Sequence, residues 1–219
     1  NANNYDPLAT VNDGSCSYGM TYVPDDNFEQ ALIDLGYDTD TVLNDSVLTG
    51  NLIYITYLNV SYDSISDLTG IEDFINLQTL YCSNNQLTSI DLSNNILLQT
   101  LYCYNNQLTS LDVSSNTSLT RLNCYFNQLT SLDVSSNTFL NYLYCYNNQL
   151  TSLDVSSNTS LTRLYCNLNQ LTSLDVNSNT FLNYLYCNNN QLTNLDLRNG
   201  NNTSLYSKDY TGNPNLFCI

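Results

Sequence analysis

Six cysteines of this chain, Cys82, Cys103, Cys124, Cys145, Cys166 and Cys187, stand 21 residues apart. The text around them keeps the same period: residues 101–117, LYCYNNQLTSLDVSSNT, return at 143–159. A unit this short cannot enclose a core of its own. It buries apolar side chains only against the next copy, so successive copies stack into a solenoid.

The shared register reads L-x-x-L-x-C-x-x-N-x-L-T-x-L/I-D-V/L, as in LLQTLYCYNNQLTSLDV. The L-x-C step has strand period, which points Leu101 and Cys103 inward and Thr100, Tyr102 and Tyr104 outward. Strands of neighbouring coils then pair in parallel at about 4.8 Å. Asn85, Asn106, Asn127, Asn148, Asn169 and Asn190 follow each cysteine by three residues and are expected to turn inward, satisfying backbone groups where the chain leaves the strand. The segment QLTSLDV places a second inward pair, such as Leu111 and Val113, on the return side, and the polar SSNT closes the coil. Little helix is expected in the repeats. This spacing is the signature of a leucine-rich repeat, nominally an α/β-type solenoid and here mostly β and coil, with a parallel sheet on the concave face.

Three parts are expected: a small Asp/Asn-rich Cys module over 1–19, an N-terminal cap over 20–50, and the solenoid over 51–219. The cap carries VPDDNFEQALIDLG, read as a short helix over 25–35 with Asp26 as N-cap, Glu29 completing a capping box, Phe28, Leu32 and Leu35 on one face, and Gly36 ending it. Residues 55–74 form an earlier, less regular coil with Leu58 and Val60 inward and Asp63 at the asparagine position. After residue 197 the pattern loosens, and the closing NLFCI reads as one more strand with Leu216 and Cys218 inward.

Neighbouring ladder cysteines lie close enough for disulfides, but their Cβ vectors run parallel, so buried free thiols acting as small hydrophobes are favoured. A line of thiols also fails to converge on a zinc ion. The chain has 20 acidic and 4 basic residues, a net charge of −16, which makes nucleic acid and anionic membranes poor partners. No run of about 18 apolar residues is present to insert into a bilayer. Histidine is absent, which leaves no Ser/His or Cys/His pair, and the repeated carboxylates share near-identical settings, so no enzyme is expected. Asp91, Asp112, Asp133, Asp154, Asp175 and Asp196 form a second ladder on the return side. Solvated carboxylates taking local hydrogen bonds are the favoured reading, so no cofactor is expected, with calcium bridging of the carboxylates as the alternative. The sequons at Asn116 and Asn158 read as turn chemistry.

The outward strand positions concentrate tyrosine. The candidate ligand-binding residues are Tyr81, Tyr102, Tyr104, Arg121, Tyr125, Tyr142, Tyr144, Tyr146, Arg163, Tyr165, Tyr184 and Tyr186. Tyrosine offers rigid amphipathic contact to a protein or a sugar. It is also a good strand former whose cross-strand pairs stabilise a sheet. Arg and Tyr alternate at 121, 142, 163 and 184, in step with an alternation of whole repeats that duplication of a 42-residue unit would leave behind.

The cysteine-bearing register, with LTSLDVS after CxxNQ, resembles the short leucine-rich repeats of secreted and cell-surface proteins of Bacteroidetes, of flavobacterial type, over roughly residues 51–219. TYVPDDNFEQALIDLGYD is similar to the cap that precedes such repeats. NANNYDPLATVNDGSCSYG resembles a small module whose usual Gly-Cys-x-Asp opening is missing here, leaving Cys16 without its expected mate. The resemblance implies export, a longer parent protein with a C-terminal sorting domain, and roles in adhesion, protein interaction or glycan contact. Two expectations follow: an extracellular module that binds a protein or polysaccharide through its tyrosine face, or a structural spacer or self-assembly module without its own ligand. Oligomeric state is left open.

Overall fold

The computed structural model describes residues 19–200 and 205–216. The module read over 1–19, Cys16 included, falls almost wholly outside them, as do Cys218 and most of the strand expected in NLFCI.

The cap comes first. Strand β1 (Met20–Tyr22) pairs antiparallel with β2 (Ser46–Leu48), and helix α1 (Asp26–Asp34) lies between them in sequence. The expected capping residue is corrected by one position. Asp25, not Asp26, is the N-cap, and its Oδ1 accepts from the amides of Asn27 and Phe28, both at 3.0 Å. Its Oδ2 takes the Ser66 and Asp67 amides and the Ser66 hydroxyl at 2.7–3.0 Å, so one carboxylate caps the helix and ties it to the first coil. Burial opposes that charge, yet the hydrogen bonds outweigh it and hold the carboxyl below its ordinary value. Glu29 closes no capping box: it is fully buried and accepts from the amides of Asn44, Asp45 and Ser46 at 3.1–3.2 Å. Phe28, Ala31 and Leu32 form the buried face, while Leu35 turns to solvent. Gly36 takes φ +75° just beyond the helix, as expected.

After a short helical turn, α2 (Thr49–Leu52), the chain enters the solenoid. Strands β3 (Tyr57–Asn59), β4 (Thr79–Tyr81), β5 (Thr100–Tyr102), β6 (Arg121–Asn123), β7 (Tyr142–Tyr144) and β8 (Arg163–Tyr165) pair in parallel and in register. Strand β9 (Ser173–Asp175) leaves this sheet and pairs on the return side with β11 (Asn194–Asp196), while β10 (Tyr184–Tyr186) and β12 (Ser207–Asp209) complete eight strands on the concave side. Each coil contributes the same inward set: Leu98, Leu101, Cys103, Leu108, Leu111 and Val113 are all at most 8% exposed. Between β3 and β4 lies a 3₁₀ turn, Ile71–Asp73; the 21-residue repeats themselves contain no helix among the described residues.

Two asparagine ladders hold the coils together. In the expected one, Asn127 accepts the Leu108 amide at 3.0 Å and donates to the Cys103 and Cys124 carbonyls at 3.0 and 3.1 Å, so its amide bridges two coils. The second ladder, Asn95, Asn116, Asn137, Asn158 and Asn179, sits in the turn that sequence composition reads as a polar closure. These side chains are 0–1% exposed, and Asn137, for example, donates to the Val113 and Asn116 carbonyls at 3.0 and 2.9 Å. Asn116 and Asn158 are therefore ladder members, and their sequons are closed in the folded chain.

The coil after residue 197 is more regular than its text. Asn213 occupies the ladder position, accepting the Leu192 amide and donating to the Cys187 carbonyl, although Lys208 stands where earlier strands carry leucine. Lys208 is exposed there, whereas the equivalent leucines are buried.

Just before each ladder asparagine the backbone turns left-handed. Asn84, Asn105, Asn147 and Asn189 tolerate this, but Phe126 (φ 52°) and Leu168 (φ 56°) occupy the same position. Replacing Leu168 with Asn, L168N, is expected to stabilise the chain by roughly 1 kcal/mol, raising the melting temperature by a few degrees as read by circular dichroism. Alkylation mapped by mass spectrometry provides a second check. The six ladder thiols are free and buried, and burial pushes those of Cys82, Cys145 and Cys187 up to about 12. They should stay unmodified at pH 8 until denaturant is added.

Candidate functional site

The parallel register sets the outward side chains of the concave sheet in three columns, and all twelve sequence-predicted residues lie in them. The first runs Arg121, Tyr142, Arg163, Tyr184; the second holds Tyr81, Tyr102, Tyr144, Tyr165 and Tyr186; the third holds Tyr104, Tyr125 and Tyr146. The tyrosines are half-buried, because strand spacing matches the distance at which aromatic rings stack.

Many of the ring faces are used by neighbours, though Tyr102, Tyr104 and Tyr144 each have a ring partner on one side only. Tyr104, Tyr125 and Tyr146 stack with centroids 4.4 Å apart and planes within 9° of parallel. Tyr81 stacks on Tyr102 at 4.6 Å, and Tyr144 on Tyr165 at 4.5 Å, while Tyr186 meets Tyr165 edge-on at 4.6 Å. In the first column, the Arg163 guanidinium lies 5.0 Å from the Tyr142 ring and 4.7 Å from Tyr184, and Arg121 lies 5.3 Å from Tyr142. What remains for a ligand is chiefly a set of ring edges and hydroxyls. Burial, followed by the neighbouring phenols of Tyr146 and Tyr104, pushes Tyr125 above the ordinary phenol value. A hydrogen bond to the Tyr144 hydroxyl, which overcomes desolvation, raises Arg163. At the C-terminal edge the Tyr186 hydroxyl bonds the Ser207 hydroxyl.

Sequence reasoning missed three parts of this face. Tyr57 lies in the first column, opposite Thr79, and meets Tyr81 edge-on across the columns at 5.5 Å, and Tyr206 lies beside Tyr184 at 6.4 Å. Tyr57 was legible from its place before Leu58. Phe126 packs edge-on against Tyr125 and Tyr146 at 5.7 and 5.6 Å while staying 46% exposed. Its signal was an apolar residue in an asparagine column.

The aspartate ladder on the return side consists of six turns. Each Oδ1 accepts the amide two residues on, from Ser93 to Arg198, at 2.8–3.0 Å. These carboxylates repeat in like surroundings, with no unequal pair to divide acid and base roles. The acidic grouping with metal-ligand spacing among the described residues lies in the cap instead: Asp26, Glu29 and Asp45, with ligand atoms within 4.8 Å of one another. It could coordinate a divalent ion, but both Glu29 oxygens already accept backbone amides. Among the described residues no helix is long and apolar enough to cross a membrane.

Comparison with known proteins agrees with this geometry. The family described as Leucine Rich repeats (2 copies) matches residues 75–116 and 96–137. Over 88 residues the chain is 44% identical to internalin J of Listeria monocytogenes serotype 4b (strain F2365), a match that takes in 39% of this chain and only 9% of that protein. The solved structure of an internalin, inlF, from L. monocytogenes strain 4b F2365 aligns with TM-score 0.52 and 25% identity over 87% of this chain and 70% of its own. Internalin C2 of the same strain aligns with TM-score 0.59 and 22% identity, covering 90% and 93%. The chain is thus a leucine-rich repeat solenoid in fold, similar over part of its length to internalins, with a tyrosine-rich face. These matches overturn the narrower Bacteroidetes assignment. The quoted register follows from how coils pack, so unrelated lineages that build the same coil share it.

The hydrogen bonds of the aspartate turns hold Asp91, Asp112, Asp133 and Asp154 below the ordinary carboxylate value, and the Arg198 side chain takes Asp196 to about 2. Folded values below unfolded ones mean that this contribution is complete above about pH 4 and is lost as pH falls through the folded values. A pH series of thermal melts should show the midpoint falling between about pH 4 and pH 2.

Proposed function

We propose that this chain is an extracellular recognition module, secreted or displayed on a cell surface, that binds a protein partner through the tyrosine columns of its concave sheet. The observation that carries the reading is the state of the rings. They are fixed by mutual stacking, so little side-chain entropy remains to be lost on binding, and they present edges and hydroxyls in rows. A polysaccharide is the weaker fit, because a sugar stacks on an aromatic face and many of these faces are taken. The likeness to internalins supports adhesion as the setting. Calcium has no place on the face in this reading; its one acidic grouping among the described residues lies in the cap.

The same stacking supports a second reading, in which the tyrosines only stabilise the sheet and the module is a spacer or self-assembling element. Serine at Tyr102, Tyr144 and Tyr186 together separates the two. Each lost ring contact costs about 0.5–1.5 kcal/mol of stability, yet the variant retains its inward core. Arrayed surface proteins and polysaccharides probed with both forms should show saturable protein binding that falls at least ten-fold in the variant while circular dichroism is unchanged. Binding that ignores the substitutions, or silence with concentration-dependent sedimentation, would sink the recognition reading.

A further inference from the structure

The face has a polarity that the tyrosines do not explain. Arg121 and Arg163 are two of the four basic residues in a chain of net charge −16. Among the described residues the one ion pair joins Arg198 to Asp196 on the return side, and neither Arg121 nor Arg163 has a carboxylate within 4.0 Å. Both rest on tyrosine rings instead.

The coils that begin their strands with these arginines also carry Phe126 and Leu168, in left-handed backbone where neighbouring coils use asparagine. Both are exposed, at 46% and 44%. Each residue therefore combines an unfavourable backbone state with an unfavourable exposure, and backbone strain retained at a surface points to use of that surface. The two arginines lie two strand spacings apart, roughly 10 Å, and Arg121 is separated from Phe126 by a three-residue strand and the start of the bend after it, at most roughly 16 Å across the face. Cations thus mark one edge and apolar side chains the other, with tyrosine columns between.

We infer that this face docks an acidic amphipathic helix of a partner protein, lying along the solenoid axis with its carboxylates over Arg121 and Arg163 and its apolar flank against Phe126 and Leu168. The inference rests on the recognition reading above. The geometry selects a helix. Seven helical residues rise about 10.5 Å and return to the same face, matching the two-coil spacing. An extended segment places i and i+3 at about 10 Å but on opposite sides. A polyuronate could meet the arginines, yet it would leave the apolar edge against sugar hydroxyls.

The test is selection of a displayed library of 21-residue helices, randomised at every surface position, on the intact chain. Recovered helices are expected to carry Glu or Asp at seven-residue spacing on one flank and apolar residues on the other. Their affinity should fall at least ten-fold with R121Q/R163Q and likewise with F126N/L168N, each variant keeping the circular dichroism of the parent. Helices without acidic residues, or affinity indifferent to both double variants, would overturn the inference; if the tyrosine-to-serine variant still abolished their binding, the broader recognition reading would survive. Failure to recover any helix that binds the face would overturn the inference, and both proposals fall if the protein array is silent as well. Tighter binding of a purified polyuronate in competition would also overturn the helix assignment, as would self-association abolished by R121Q/R163Q, which would give the face to a second copy.

Discussion

A coil of 21 residues has too few residues to satisfy its own backbone, and the rest of the structure depends on how that shortage is met. Three-residue strands leave most peptide groups outside the sheet, in bends that run under the surface. The two asparagine ladders supply partners from the adjacent coil: Asn127, for example, accepts the Leu108 amide and donates to the Cys103 carbonyl of the preceding coil while also donating to Cys124 in its own. Leucine and cysteine fill the space between the ladders, and a slip of one residue would turn that inward set to solvent. The ladders reinforce the register, because an asparagine displaced by one residue would leave buried donors and acceptors unpaired.

Exact register is in turn what makes the surface. Strands paired without offset bring each outward side chain beside its equivalent about 4.8 Å away, and tyrosine at that spacing stacks. The columns are therefore a consequence of the register that the interior holds. Their interruptions carry as much meaning: buried Asn123 breaks the second column, Arg163 enters the first, and Phe126 and Leu168 stand where asparagine would be easier on the backbone.

Much of this was legible in the one-dimensional text, because a period of 21 with alternating inward and outward positions maps directly onto columns. What escaped has particular causes. Asp25 and Asp26 are equal candidates for the cap, and contacts with Ser66 and Asp67, some 40 residues on, decide between them. Asn95, Asn116 and Asn137 lie in stretches whose composition is that of an exposed turn; only the neighbouring coil shows that they are buried. The coil around β12 retains Asn213 but replaces the strand leucine with Lys208, which hides it from a leucine-based register. The tyrosine face was visible as a list of residues, whereas the occupation of its ring faces was not.

Because every coil touches only its immediate neighbours, an internal segment can be gained or lost by recombination without disturbing the coils on either side. The alternation of Arg121 with Tyr142 and of Phe126 with Asn147 gives that freedom a grain. Removing one coil would set two like coils side by side and break the alternation of the face, while removing two keeps it. Length in such a chain is thus expected to drift among descendants in steps of 42 residues, so that the dimensions of the surface vary while its pattern is inherited intact.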